Sequence, residues 1–231
     1  MGLLTAACRF ELLLAVGLLQ ACGEAPEPGL GREPQDPAAA FSALEERLLS
    51  AQAVEVDYEV AAEGAVEVDL QGGLRIEAGG LVEITARGRF AGQEVDLLLR
   101  SEGGQYEYGN GPDRRAGPTP RYLNEAVLIG LTRMGILHNL AMLVGNAPPD
   151  GAEGGVRDWV VVEDFSFDQD EPGQGSSQVI SFSMVVGGAP AGAAALEVGS
   201  KGVPVLREQT VQFPDGEMRV VERYTRVLIS P

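Results

Sequence analysis

The sequence predicts a mainly β domain in which about eleven antiparallel strands curl into a barrel-like wall around a helical insert. Three observations predict this fold. Short segments of alternating apolar and polar residues fill the chain on both sides of its middle. Paired glycines separate several of these segments, as in hairpin turns. Between the two groups, one apolar stretch repeats its large side chains every three or four residues, which is the spacing of a buried helix.

Residues 1–21 have the pattern of a lipoprotein signal peptide. Their apolar run, residues 12–19, is too short to be a convincing membrane span. The sequence L-Q-A-C at positions 19–22 resembles the bacterial lipobox, with an aliphatic residue, a tolerant position, a small residue and a cysteine. This resemblance implies that Cys22 is acylated and becomes the new N-terminus, and two or three acyl chains anchor a protein firmly. The alternative is an incidental cysteine at the end of an ordinary signal peptide.

Residues 22–37 interleave proline with acidic side chains. This composition cannot form a core, so we predict a tether between the anchored Cys22 and a folded domain over residues 38–231. Asp36 followed by Pro37 predicts a helix start, since the carboxylate caps free amides and proline suits the first helical position. The apolar face of this helix carries Phe41, Leu44 and Leu48. Its outward side is predicted to carry Glu45, Glu46 and Arg47.

Six strands are predicted before the helical insert. The first alternates Val and Tyr with Glu and Asp over residues 54–60, which indicates a strand with one face in solvent. Glycine pairs predict the turns between the later strands, and they lie at residues 72–73, 79–80 and 103–104. The sixth is a short aromatic strand with Tyr106 and Tyr108, and residues 109–120 are predicted to be a loop.

The helical insert is predicted over residues 121–145, and we call this segment the lid. Its apolar side chains cover nearly the whole circumference of a helix, so the lid requires cover from a protein core or from lipid. Arg133 and His138 argue against a membrane span, because a charge at the centre of a bilayer is costly. Gly135 predicts a break, so we expect two short helices hinged there and packed against, or into, the curved sheet.

Five more strands are predicted after the lid, at residues 159–167, 178–186, 196–198, 205–213 and 218–229. Most are neighbours in sequence, which favours an antiparallel meander. Because one flat sheet does not comfortably hold so many strands, the sheet is expected to curl towards a barrel. The lumen of such a barrel is filled by side chains, by the lid or by a ligand.

Charge and composition exclude several classes of function. With 17 basic and 34 acidic residues, the net charge is −17, so nucleic acid and anionic lipid surfaces are repelled. Cys8 would leave with the signal peptide and His138 is the one histidine in the sequence, so a His/Cys zinc site is excluded. We therefore expect no metal, no cofactor and no catalytic site. An enzyme acting on lipid would have to use His138.

The order of the elements resembles a known family. An amphipathic helix precedes antiparallel strands, and the lid follows the aromatic strand S-E-G-G-Q-Y-E-Y-G-N. The chain ends in V-P-V-L-R-E-Q-T-V-Q-F, a P-D-G turn and V-E-R-Y-T-R-V. This pattern resembles the periplasmic lipoprotein carrier and receptor family (LolA/LolB) and lipid-binding lipoproteins of the LppX/LprG type. The resemblance implies an unclosed β-barrel whose concave apolar interior holds acyl chains under a helical lid.

The same resemblance implies an arginine on a strand that holds the lid by hydrogen bonds. The candidates for it are Arg75, Arg87 and Arg89. Cys22 places the chain nearer the anchored members, and Gly23 in place of Asp after the cysteine implies sorting to the outer membrane, facing the periplasm. The membrane, through the anchor, and a lipid or acylated protein are therefore the expected partners.

Two functions are predicted from these observations. In the first, the lid opens and an acylated or hydrophobic ligand, such as a sixteen-carbon palmitate chain, enters the cavity during lipid or lipoprotein transport. The residues predicted to line the cavity are Val56, Tyr58, Val68, Val82, Ile84, Leu97, Trp159 and Phe165 on the wall and Leu131, Met134 and Leu137 on the lid. In the second, side chains fill the lumen and the protein is an envelope sensor or a protein-binding scaffold.

Overall fold

The computed structural model describes residues 36–145, 160–168, 177–213 and 216–231, all within the unit Pro34–Pro231. The helices are α1 (Pro37–Leu49), α2 (Leu123–Ile129), a π-helical turn π1 (Gly130–Met134) and α3 (Ile136–Val144). The strands before the lid are β1 (Ala53–Gly64), β2 (Val68–Glu77), β3 (Val82–Phe90), β4 (Gln93–Glu102), β5 (Gln105–Asn110) and β6 (Asp113–Pro118). Those after it are β7 (Val160–Phe167), β8 (Gln178–Val186), β9 (Ala189–Val198), β10 (Pro204–Phe213) and β11 (Gly216–Ser230).

The eleven strands of the described residues form one antiparallel sheet in the order β6-β5-β4-β3-β2-β1-β11-β10-β9-β8-β7. β1 pairs with β2 on one side and with β11 on the other, so the first and last strands meet in the middle. β6 and β7 are the two edges of the sheet, which therefore is not closed into a barrel. The predicted fold, a half-open antiparallel barrel with helices, is confirmed.

Two glycine-containing segments differ from the prediction. Gly72 and Gly73 make no turn and lie inside β2. The hydroxyl of Tyr58 donates to the carbonyl oxygen of Thr85 at 2.8 Å, and a Cβ at Gly72 would lie 2.8 Å from that hydroxyl oxygen. Glycine is required there because backbone and a neighbouring side chain approach closely. The predicted loop at residues 109–120 contains strand β6.

The helices form where the sequence predicts them. Asp36 caps α1, its Oδ1 accepting from the backbone N–H of Ala38 at 3.1 Å, and Pro37 follows at the first helical position. The lid is two helical pieces that separate at Gly135, with α2 and π1 on one side and α3 on the other. Within the described ranges, no helix is both long enough and apolar enough to cross a membrane.

One hydrophobic core joins the inner face of the sheet to α1 and the lid. On α1, Phe41 is buried, and its ring centroid lies 4.9 Å from that of Phe182 on β8 and 5.3 Å from that of Phe165 on β7. Alternate residues of β1 to β4 point into the same core, while the intervening charged residues lie on the outer face. The lid therefore lies over an apolar wall.

Candidate functional site

The break in the lid leaves backbone groups that the helices cannot satisfy by themselves. Gly135 has φ 84° and ψ 163°, so the chain leaves π1 and re-enters a helix within one residue. The carbonyls at the end of π1 and the amides at the start of α3 have no partners within their own helices. Because this bend is buried against the sheet, the sheet has to supply those partners.

Arg207 on β10 supplies the hydrogen-bond donors. Its side chain is fully buried, and its guanidinium donates to the carbonyl oxygens of Thr132 at 2.7 Å and Arg133 at 2.8 Å. Its Nε donates to Oε1 of Gln209 at 2.9 Å, and its Cζ lies 5.3 Å from the ring centroid of Phe182. Burial lowers the pKa of Arg207, but a guanidinium stays charged in proteins. A buried cation thus caps the carbonyl end of π1.

Glu222 on β11 supplies the acceptor. Its fully buried carboxylate accepts from the backbone N–H groups of Ile136 and Leu137, each at 2.9 Å, and from the hydroxyl of Tyr224 at 2.6 Å. A carboxylate at a helix N-terminus is favourable because the free amides there carry partial positive charge. Burial, and then the charge of Glu222, raises the pKa of Tyr224, so this hydroxyl is a donor. Arg207 and Glu222 are directly paired residues of β10 and β11, and we call these two side chains the clamp.

A second contact joins the lid to α1 and to the edge strand β7. Arg133 donates to both carboxylate oxygens of Glu45, each at 2.8 Å, and to the carbonyl oxygen of Val160 at 2.7 Å. The hydroxyl of Thr132 donates to Glu45 at 2.8 Å. Glu45 is thus buried, and the prediction that it points outward is wrong because the lid supplies a cation for it. Asn139 links α3 to α2 by donating to the carbonyl of Val127 at 3.1 Å.

The predicted lining residues come together in the core. Those that the core cluster contains are Val56, Tyr58, Val68, Val82, Ile84, Leu97, Leu131 and Leu137, and Phe165 packs against it. Met134 is half-buried, and Trp159 lies outside the described residues, as does Cys22. In this closed arrangement, the wall contacts the side chains of α1 and the lid.

The three arginines predicted to hold the lid lie elsewhere. Arg75 forms an ion pair with Glu77, and its side chain is 52% exposed. Arg87 and Arg89 donate to Asp96 and Glu94 at 2.9 and 3.0 Å on the outer face. They are outward because each occupies the solvent-facing phase of its strand. Among the described residues, the strand arginine that donates hydrogen bonds to the lid is Arg207. The role predicted for Arg75, Arg87 or Arg89 therefore belongs to Arg207.

The sequence carried a signal for the clamp. In β10, Arg207 and Gln209 share the alternation phase of Val211, and in β11, Glu222 lies between Val220 and Tyr224 on the inner face. When each of two adjacent strands has a charged residue at a position that faces the core, a buried polar contact is predicted. That signal did not enter the prediction.

The outer face carries two adjoining grooves of about 540 and 650 Å³. Both are lined by Glu59, Gln71 and Arg87, on the side of the sheet away from the lid.

His138 is half-buried on α3, and burial lowers its pKa. Among the described residues, no cluster of three or more His, Cys, Asp or Glu could hold a metal ion.

No family model matches the sequence, and no curated protein matches it. Several solved structures do match this chain. A β-barrel-like protein of domain of unknown function DUF1849 from Brucella abortus is 11% identical, with TM-score 0.29, over 78% of this chain and 99% of that one. A DUF1329 family protein from Desulfovibrio piger is 9% identical, with TM-score 0.34, over 84% and 93%. A domain from Vibrio parahaemolyticus named for outer membrane lipoprotein sorting is 9% identical, with TM-score 0.31, over 84% and 93%.

At identities of 9–11% and TM-scores of 0.29–0.34, these likenesses concern the fold alone and say nothing about function.

Proposed function

We propose that this protein is a lipid-anchored envelope protein that binds an acylated or hydrophobic ligand between its lid and its sheet. The observation that carries the proposal is the clamp. The lid covers a largely apolar wall, yet at its bend its backbone carbonyls accept hydrogen bonds from Arg207 and its backbone N–H groups donate to Glu222. The wider role that we propose is transport of lipids or lipoproteins, and the Vibrio parahaemolyticus domain is named for outer membrane lipoprotein sorting.

Hydrogen bonds at one bend are suited to a lid that opens, because few contacts have to break. Four hydrogen bonds to the backbone around Gly135 release together when the lid lifts, and Asn139 keeps α3 with α2 while it moves. The exposed wall then takes up an acyl chain in place of the apolar side chains of the lid. A sixteen-carbon chain contributes on the order of 10 kcal/mol gross, from which the cost of lifting the lid and of leaving the membrane is subtracted.

Ligand binding is tested directly on the mature protein. Native mass spectrometry after purification in a mild detergent is expected to show co-purified lipid. The delipidated protein is expected to bind a fluorescent sixteen-carbon fatty acid, with unlabelled palmitate competing for it. The matched control is Arg75→Gln on the outer face, which should bind the probe as the unchanged protein does because it lies away from the lid. Delipidated protein that is folded and takes up no probe would contradict the proposal.

The anchor is tested at Cys22. We expect Cys22→Ser to abolish incorporation of labelled palmitate into the protein, because the thiol is the acceptor of the diacyl group. Cys8→Ser is the matched control, since Cys8 lies in the segment removed with the signal peptide, and its label should be retained. Equal labelling of the two variants would exclude lipidation at Cys22.

A protein-binding scaffold is the second candidate. It is favoured by the closed core, in which α1 and the lid already contact the wall, and by the charged grooves on the outer face. A specific partner captured from membranes, with no lipid in an extract of the same sample, would favour the scaffold over ligand binding.

Both proposals are for binding without catalysis. A lipid hydrolase activity that His138→Ala abolishes would contradict them.

A further inference from the structure

The clamp places a cation and an anion side by side on the inner wall. Arg207 and Glu222 are opposite each other in the β10–β11 register, and both are fully buried. Their surroundings include the ring of Phe182, 5.3 Å from the guanidinium carbon, and the sulfur of Met184, 3.5 Å from Nη2 of Arg207. Among the described residues, the inner wall thus carries one adjacent pair of opposite charges, next to the uncharged polar groups of Gln209 and Tyr224.

Lifting the lid removes specific partners from each of these charges. Arg207 loses the carbonyl oxygens of Thr132 and Arg133 and keeps Gln209. Glu222 loses the N–H groups of Ile136 and Leu137 and keeps Tyr224. A buried charge without partners is strongly unfavourable, and an acyl chain that fills the opened space excludes the water that could replace them. A ligand that supplies an acceptor at Arg207 and N–H donors at Glu222 would replace the hydrogen bonds that both residues lose.

We propose that the ligand under the opened lid is a zwitterionic amphiphile, whose anionic group binds Arg207 and whose N–H-bearing ammonium binds Glu222. This inference depends on the proposed function, because it concerns the same space. The two wall charges sum to zero, so a headgroup with one negative and one positive charge neutralises both. A fatty acid supplies the anion alone. A choline headgroup supplies a positive charge without N–H donors for Glu222.

The test compares headgroups on one chain length. The delipidated protein is loaded with the fluorescent sixteen-carbon fatty acid, and displacement is measured with lysophospholipids that carry the same chain and an ethanolamine, choline or glycerol headgroup. We expect the ethanolamine lipid to displace the probe at about tenfold lower concentration than either of the others, since charge-assisted hydrogen bonds are the strong ones. Equal half-displacement concentrations for the three lipids would overturn the inference and leave the proposed function intact. Protein that binds no probe at all would instead remove the proposed function.

A variant locates the preference. Glu222→Gln keeps the shape of the side chain and removes its charge, so the advantage of ethanolamine over choline should fall from about tenfold to about twofold or less. Glu208→Gln on the outer face of β10 is the matched control, because Glu208 pairs with Arg219 at 3.1 Å in solvent, and it should keep the full preference. A preference that survives Glu222→Gln would also overturn the inference. If circular dichroism shows that Glu222→Gln is unfolded, the headgroup series on the unchanged protein decides alone.

Discussion

Arg207→Met is expected to lower the free energy of unfolding by about 3–5 kcal/mol, the range for breaking a buried charged contact by removing one partner. Methionine is unbranched and apolar, so it fits beside Met184 and Phe182 with little steric change. What it removes is the donor for two buried carbonyls, at Thr132 and Arg133. It also leaves Glu222 as an uncompensated charge. Urea unfolding followed by circular dichroism measures the loss.

The control for this variant is Arg75→Met. Arg75 also lies on a strand and is ion-paired, but its side chain is 52% exposed, so the same substitution should cost about 0–1 kcal/mol. The double variant Arg207→Met, Glu222→Leu should cost less than the sum of its two single variants, because removing both charges leaves neither unpaired. Equal losses for Arg207→Met and Arg75→Met would show that the clamp does not hold the lid.

The sequence predicted the architecture because alternation is a local property. Val56 and Tyr58 occupy alternate positions of β1, and this alternation alone shows which face of the strand is buried. Residues far away in the sequence are not needed for that prediction. Glycine was less informative, since it permits either a turn or a close approach. Gly72 and Gly73 were therefore read as a turn inside β2, while the charged strand β6 was read as a loop. The two errors offset each other in the predicted number of strands before the lid.

The clamp could not be predicted in the same way. Arg207 lies 75 residues from Thr132, and Glu222 lies 86 residues from Ile136. Their partners on the lid are backbone carbonyls and amides, which every sequence has, so no residue type marks the contact. What the sequence does contain is the position of each charge in the apolar phase of its strand. The burial of Glu45 could not be predicted for a similar reason. The cation that pairs with it, Arg133, belongs to the lid and not to α1.

Gly135→Ala is expected to lower the free energy of unfolding by about 2–5 kcal/mol, because two costs coincide at this residue. Its φ of 84° is a conformation that side chains with a Cβ rarely adopt. A Cβ would also overlap the carboxylate of Glu222, lying 2.8 Å from its Cδ. The alanine therefore has to displace the acceptor of two buried amides. Chemical denaturation of the purified protein measures the combined loss.

Two other glycines separate these costs. Gly79 has an ordinary φ and open space where the methyl group of an alanine would lie, so Gly79→Ala should change stability by less than about 0.5 kcal/mol. Gly80 has φ 96° and the same open space, so Gly80→Ala should show the conformational cost alone, about 1–2 kcal/mol. The excess of Gly135→Ala over Gly80→Ala then reports the contact with Glu222. An excess near zero would mean that Glu222 can move aside freely, and a carboxylate that moves freely would not hold the lid in place.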